Sequence, residues 1–253
     1  MPSRVVGDNR TVTSPQTAAP AAQPAAGRPR RRWVRRLGVL LIVAGLAVLG
    51  YVGWQFWGTT WVSHRTQERI VTEVEKDWDK GAGTTGETGS AHGAVEVPEG
   101  EVTALIRIPR FGDDYVVPVL EGTTDDVLAA GYGHFADSAE AGRVGNYAVA
   151  AHRITHGEPL RGMPDLEVGD EVVVESRTAT YTYELTSAGD ALTVPFTAGW
   201  VVDPLPENPQ AGGVEPEQKP GQRLITLTTC SELFHTDNRL VAFGTLVHRE
   251  PRE

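Results

Sequence analysis

The chain has 253 residues and a formal net charge of -10 at pH 7, from 23 lysines and arginines against 33 aspartates and glutamates. This balance argues against a nucleic-acid binder built on a basic face. With 28 glycines and 17 prolines, the composition favours short elements joined by turns over an all-helical fold. The single cysteine, Cys230, excludes an intramolecular disulfide and a thiolate zinc site.

The first distinct segment is apolar, because residues 37–57 contain no charged side chain. At about 1.5 Å per residue, a helix of this length crosses a hydrocarbon core of about 30 Å. Arginines crowd its N-terminal side and tryptophans flank it, which predicts a single-pass signal anchor in the cell membrane with a cytoplasmic N-terminus. A cleaved signal peptide is the alternative, but its apolar region is usually shorter and ends in small residues.

The segments around the anchor predict no chemistry. Residues 1–36 are rich in Ala, Pro and Arg without apolar periodicity, which predicts a disordered basic cytoplasmic tail. Residues 58–100 are predicted to form an extracellular stalk helix followed by a glycine-rich flexible linker. We expect the folded domain at 101–253.

The stalk helix is predicted from spacing. Ile70, Val74 and Trp78 recur every four residues among charged side chains, as on an amphipathic helix. A stripe of this kind also fits a helix that lies against a lipid surface.

Beyond residue 101 the chain consists of short runs of β-branched and aromatic residues separated by Gly, Pro and Asp. The runs predict strands at 103–109, 115–120, 146–151, 171–176, 180–185, 223–229 and 239–247. Short helices are predicted only at 125–130 and around 159–164. Seven or eight strands in about 150 residues indicate an all-β fold, either a small barrel or a sandwich.

Cys230 and Arg239 are candidates for chemistry because a hairpin would bring them together. Cys230 ends one predicted strand and Arg239 opens the next, so in an antiparallel pair their Cβ atoms lie about 5 Å apart. A guanidinium beside a thiol favours the thiolate and supplies donors for an oxyanion, which a cysteine acyl-transfer enzyme needs. On these residues alone the alternative is a buried inert cysteine, with Arg239 paired to Asp237.

Such an enzyme also needs a general acid or base, and His152 is the first candidate. It follows the apolar run 146–151 at its exit, where a rigid element presents a side chain to a cleft. His134, His156 and His235 remain candidates by position alone.

No metal set is visible in the sequence. The scattered carboxylates are interpreted as solvated turns and not as a calcium site. They are Asp113, Asp114, Asp125 and Asp126.

Three features together resemble the sortases, and most closely the class E housekeeping type. They are the segment GNYAVAAHRITHGEPLRGMPDLEVGDEVVV at 145–174, the run TLTTC at 226–230, and Arg239 nine residues after the cysteine. The Gly-Tyr-Gly-His element at 131–134 fits the same family. The resemblance covers about residues 101–248 and implies an eight-stranded sortase-like β-barrel with short helices, preceded by one transmembrane helix.

The resemblance also implies roles for individual residues. Cys230 is the implied nucleophile, His152 the general acid/base, and Arg239 the group that stabilises the oxyanion and substrate. The implied substrate contacts are Thr228, Thr229 and Ser231. No metal or cofactor is implied.

The implied reaction is cleavage of an LPxTG or LAxTG sorting signal between Thr and Gly through a thioacyl-enzyme, followed by transfer to an amine. Its implied partners are secreted proteins that bear the signal, a peptidoglycan precursor of the lipid II type, and membrane lipid around the anchor. No nucleic-acid partner is expected. A cysteine hydrolase on the same barrel and a non-catalytic, membrane-tethered binding domain remain as alternatives.

The sequence departs from the family pattern at two positions and lacks one motif. Ala151 stands where many relatives have Gly, and Glu232 stands where class E relatives often have Pro. An Asp-Pro-aromatic lid motif is absent before Glu101, which argues against a pilin-polymerising sortase. The Thr-Thr-Cys-Ser run also lacks the Ser-x-Gly-Cys context of an L,D-transpeptidase.

Overall fold

The computed structural model describes residues 30–54, 58–81, 93–231 and 237–252. Most of the expected tail, nearly all of the expected linker, His235 and Glu232 lie outside this part of the chain. The chain divides into two compact units, residues 1–47 and 48–253.

Helix α1 covers Arg30–Gly53. Within it, Arg32–Gly53 is long and apolar enough to cross a membrane by length and composition. A signal sequence near the N-terminus meets the same criteria, so the membrane anchor stays a prediction.

Ten strands in the described residues form one sheet. They are β1 Val95–Val97, β2 Gly100–Arg107, β3 Val117–Glu121, β4 Tyr132–His134, β5 Gly145–Ala150, β6 Glu171–Glu175, β7 Ala179–Leu185, β8 Leu192–Pro195, β9 Arg223–Cys230 and β10 Asn238–Pro251. Eight of them close into a barrel in the order β2-β3-β4-β5-β9-β10-β7-β6, because β6 pairs back to β2. Strand β1 pairs with β2, and β8 pairs with the start of β10. The eight-stranded barrel implied by the resemblance is therefore confirmed.

The barrel interior is filled by side chains that alternate along the strands. Strand β7 turns Ala179, Tyr181, Tyr183 and Leu185 inward, in the period of two that a half-buried strand shows. Three buried residues of the connection between β5 and β6 join this core, namely Leu160, Met163 and Leu166. His152 is the second residue of that connection, so the core packing also fixes the chain beyond the predicted site.

Helix α2, Thr59–Gly81, packs on the outside of the barrel. Its apolar stripe is buried against β1, β2, β3 and the short helix α3, Asp125–Ala130. The buried residues of the stripe are Ile70, Val71, Val74 and Trp78. Ion pairs border the contact, among them Arg177 Nη1 to Asp77 Oδ2 at 3.1 Å. The interpretation of this stripe as lipid-facing is wrong, since protein covers it.

A separate apolar cluster covers the outer face where β9 and β10 meet. Val241 and Phe243 of β10 pack there against Leu192, Val194 and Val201. Strand β9 is consequently buried on both faces over Leu224–Thr229, with Thr226 Oγ1 donating to Asn146 Oδ1 at 2.9 Å. This double burial holds the strand that ends at Cys230.

Candidate active site

Strand pairing places Cys230 opposite Arg239, and continuing the β5–β9 register past its last pair adds His152 to the same row. Cys230 is directly opposite Arg239 in the antiparallel pair of β9 and β10. Strand β5 runs parallel to β9 with Ala150 opposite Thr228, so the same register two residues further brings His152 beside Cys230. Because adjacent strands lie about 4.8 Å apart, the row brings an imidazole, a thiol and a guanidinium within one short span.

Two hydrogen bonds carry the contact between β5 and β9 past the last paired residues. Ala151 N donates to Thr228 O at 3.2 Å, and Thr229 Oγ1 donates to Ala151 O at 2.7 Å. These bonds fix the exit of β5 against the end of β9. His152 therefore directly follows a residue that is fixed to β9, and its own carbonyl accepts a hydrogen bond from Leu160 N at 3.0 Å.

Strand alternation decides which face carries the thiol. Ile225 and Leu227 belong to the barrel core, so the alternate residues Thr226, Thr228 and Cys230 face outward. Directly opposed residues of an antiparallel pair share a face. Arg239 therefore extends from the same face as the Cys230 thiol.

The His152 ring packs against the His156 ring, with 4.8 Å between the centroids and 30° between the planes. Burial lowers the pKa of His152 to about 4, and the charges of His156 and Arg239 act in the same direction, while Asp125 opposes them. At pH 7 the imidazole is therefore neutral in the resting protein. A neutral imidazole beside a thiol is able to accept its proton.

His156 is held by its own loop and by helix α2. Its backbone has a positive φ of 54°, and its Nδ1 lies 3.0 Å from Thr155 Oγ1. Burial lowers the pKa of His156 as well, again opposed by Asp125. Gln67 of α2 contacts the same loop, because its Nε2 donates to His156 O at 3.5 Å. Helix α2 thus reaches the loop that carries the second histidine.

His134 has a structural environment. It is buried, its Nδ1 lies 2.8 Å from Glu121 Oε2, and its Nε2 lies 3.0 Å from Ser138 Oγ. Both ring nitrogens are therefore engaged within the barrel wall. His134 lies on β4, on the far side of β5 from Cys230.

The three predicted substrate contacts occupy different environments. Thr228 shares the outward face of Cys230 and is almost fully buried. Thr229 is buried too, and its hydroxyl links β9 to β5 through Ala151 O. Ser231 Oγ is buried and has no hydrogen-bond partner among the described residues. Thr229 is thus an interstrand link, whereas Ser231 has a hydroxyl that a ligand could satisfy.

One arginine at the site was not predicted from the sequence. Arg153 donates from Nε to the carbonyl of Cys230 at 2.7 Å and from Nη2 to the carbonyl of Ser231 at 2.6 Å. Arg239, by comparison, donates from Nη1 to the carbonyl of Asn238 at 3.1 Å. Arg153 follows His152 directly, but only the pairing of β5 with β9 brings it to the cysteine.

The described residues contain no group of three or more His, Cys, Asp and Glu side chains that could hold a metal ion. The chemistry available here is that of a thiol, an imidazole and a guanidinium on a closed β-barrel. This set is suited to acyl transfer through a cysteine.

Comparison with known proteins identifies the family. The family model described as "Sortase domain" matches residues 106–247, and the chain therefore belongs to the sortase family, whose members are cysteine transpeptidases. It is 32% identical over 225 residues to sortase SrtE1 of Streptomyces coelicolor, covering 86% of this chain and 58% of that protein. It is 29% identical over 231 residues to sortase SrtE2 of the same organism, covering 88% of this chain and 86% of that protein.

Solved structures resemble the barrel as well. Sortase E from Streptomyces avermitilis matches with a TM-score of 0.51 and 36% identity, over 62% of this chain and 93% of that one. Sortase E1 from Streptomyces coelicolor, crystallised with a tripeptide in its active site, matches with a TM-score of 0.52 and 33% identity, over 62% and 94%. All of these relatives are sortases of class E.

Proposed function

We propose that this protein is a membrane-anchored sortase that cleaves an LPxTG or LAxTG sorting signal between Thr and Gly and transfers the protein to a peptidoglycan-precursor amine of the lipid II type. The observation that carries the proposal is the direct pairing of Cys230 on β9 with Arg239 on β10, with His152 just beyond the end of the neighbouring strand β5. Membership of the sortase family supports the reaction type. The particular signal and acceptor rest on the sequence resemblance.

In the acylation step, neutral His152 accepts the proton of the Cys230 thiol. The thiolate attacks the carbonyl carbon of the substrate Thr, and Arg239 donates hydrogen bonds to the oxygen as it becomes anionic. The C–N bond to Gly then breaks, and the His152 imidazolium gives its proton to the departing amine. The products are a thioacyl-enzyme, a released Gly peptide and neutral His152.

The second step reverses these roles with a different amine. The acceptor amine attacks the thioester carbonyl and loses a proton to His152, while Arg239 again stabilises the oxyanion. The C–S bond breaks and the Cys230 thiolate recovers a proton from His152. The protein returns to its resting state and the new amide bond leaves with the product.

Substrate binding is proposed to use the face around the thiol. Ser231 has a buried hydroxyl without a partner among the described residues, and Thr228 lies on the outward face two residues before Cys230. An extended peptide beside this strand end would satisfy that hydroxyl. We assign Thr229 a supporting role, because its hydroxyl already joins the two strands.

The proposed location is the cell membrane, with α1 as a single-pass anchor, residues 1–36 in the cytoplasm and the catalytic domain outside. Donor and acceptor of this reaction are both membrane-tethered, so an anchored enzyme meets them at raised effective concentration. A tag after Glu253 should be protease-accessible in intact cells and a tag before Met1 should not. The reverse pattern contradicts the orientation, and a released protein that lacks 1–57 supports the signal-peptide alternative.

The reaction is tested with LPxTG and LAxTG peptides, each with and without an added amine. A sortase produces an amide between the peptide Thr and the added amine, and the amide disappears with Cys230→Ala. A hydrolase gives only the free acid at a rate that the amine does not change. Binding without turnover of either peptide supports the non-catalytic domain.

A further inference from the structure

We propose that Arg153 is a positioning residue that fixes the nucleophile by holding the backbone on its C-terminal side. The inference rests on the proposed function, since the cysteine it holds is the nucleophile of that reaction. Arg153 lies at the exit of β5, next to the proposed acid/base His152, but it binds β9. The end of β5 would then supply both the acid/base His152 and the residue that holds the backbone next to the thiol.

The hydrogen bonds that carry this inference are directional. Nε of Arg153 donates to the carbonyl of Cys230 at 2.7 Å, and Nη2 donates to the carbonyl of Ser231 at 2.6 Å. These two groups lie on one edge of the planar guanidinium, so the fork binds two acceptors at a fixed spacing. Hydrogen bonds from a charged donor are roughly twice as strong as neutral ones.

The two acceptors also define the local chain path. Successive carbonyls of an extended strand point to opposite edges, so one guanidinium reaches both only where the chain turns. Strand β9 ends at Cys230, and the following Ser231 N donates to Asn238 O at 3.1 Å. Arg153 therefore stabilises the turn immediately behind the thiol, and it links that turn to a residue 77 positions earlier in the chain.

Loss of this contact changes where Cys230 sits relative to its partners. His152 and Arg239 are held by other strands, so a shift of the β9 end alters both distances in the row. A misplacement of about 1 Å at a reacting group can cost about 10²-fold in rate. Because Arg153 binds backbone carbonyls and touches no reacting atom, its loss should lower kcat and leave KM little changed.

The test uses the full-length protein in detergent micelles, with Arg153→Ala, Arg153→Lys and the control Arg143→Ala. The control removes an arginine whose side chain is 73% exposed, in the turn before β5. Three quantities are measured: the amide hydrogen exchange of Ser231, and kcat and KM for a sorting peptide. For Arg153→Ala we expect faster exchange at Ser231 and a kcat lower by about 10- to 100-fold, with KM within about threefold. Arg153→Lys should fall between Ala and wild type, because one ammonium cannot reproduce the fork.

Four results would overturn the inference. They are unchanged exchange and kcat in Arg153→Ala, a raised KM at constant kcat, faster exchange throughout the barrel, and wild-type behaviour of Arg153→Lys. The second result would make Arg153 a substrate contact, and the third would make it a general structural residue. The exchange measurement needs no substrate. If wild-type protein cleaves no sorting peptide, the proposed function fails while exchange at Ser231 still decides whether Arg153 holds the turn.

Discussion

Arg239 lies directly opposite Cys230 where β10 begins and β9 ends. Opposed residues in an antiparallel pair have Cβ atoms about 5 Å apart and share a face, so the guanidinium and the thiol are held by backbone pairing. Two strands of the same barrel thus fix the thiol and the positive charge that would stabilise the oxyanion of an attacked substrate carbonyl. Arg239 can serve the reaction either as a charge or as a directed pair of donors.

Substitution of Arg239 by lysine separates these two roles. A lysine keeps the positive charge but lacks the planar fork of N–H donors. If Arg239 donates to the oxyanion, Arg239→Lys should retain the melting temperature and lower kcat by about 10² to 10³. Acylation rates and melting curves for Arg239→Lys and Arg239→Ala measure this. If the acylation rate of Arg239→Lys is within a few-fold of wild type, Arg239 acts only through its charge. If the melting temperature falls strongly in both variants, Arg239 has a structural role.

The pH dependence should respond to His156. Its ring lies 4.8 Å from that of His152. Burial lowers the pKa of His152, the charge of Arg239 lowers it further, and Asp125 on α3 acts in the opposite direction. A positive charge on His156 also lowers the pKa of His152. His156→Gln removes that charge, so the acidic limb of kcat/KM should move to higher pH. The control is His64→Gln on an exposed part of α2. An acidic limb that stays in place in His156→Gln would exclude coupling between the two rings.

The pH profile of kcat/KM should reflect the ionisation of interacting groups as a set. Because the His152 and His156 rings are in contact, a bell-shaped pH profile should report joint ionisations of the two and not one pKa for each residue. The alkaline limb should persist in His156→Gln, because His156 has no part in the proposed reaction steps. Loss of the alkaline limb in that variant would assign His156 a direct role.

Helix α2 should contribute to stability of the barrel. Ile70 is fully buried between α2 and the outer face of the barrel. Ile70→Ala should lower the free energy of unfolding by about 2 to 5 kcal/mol, the usual cost of a large-to-small change in a core. Lys76→Ala on the exposed side of α2 should stay within about 0.5 kcal/mol. Urea unfolding in detergent checks both, and equal stability of the two variants would mean that α2 does not stay docked.

The sequence predicted the strands that form longer runs of β-branched and aromatic residues and missed the short ones. Strands β1 and β4 have three residues each and β8 has four, which is too little for such a run to stand out. The region around 159–164 was predicted helical, but only a 3₁₀ turn at Met163–Asp165 forms. Its apolar residues fill the barrel core instead of one face of a helix.

The pairing of Cys230 with Arg239 was predicted because a hairpin rule alone brings them together. The role of His152 beside them stays a prediction that rests on its position and on the family resemblance. Arg153 was missed because its partners are backbone carbonyls 77 and 78 positions away, which no spacing rule encodes. The packing of α2 on the barrel was missed for a similar reason. An amphipathic stripe has the same sequence pattern whether lipid or protein covers it.

Intact-protein mass spectrometry decides whether Cys230 forms a thioacyl bond with a sorting signal. The full-length protein in detergent is mixed with LPxTG and LAxTG peptides and quenched in acid. We expect a mass increase equal to the peptide up to its Thr, located on Cys230, lost on addition of an amine, and absent from Cys230→Ala and Cys230→Ser. Peptide cleavage without any adduct on Cys230, or cleavage by Cys230→Ala, would contradict covalent catalysis at this residue.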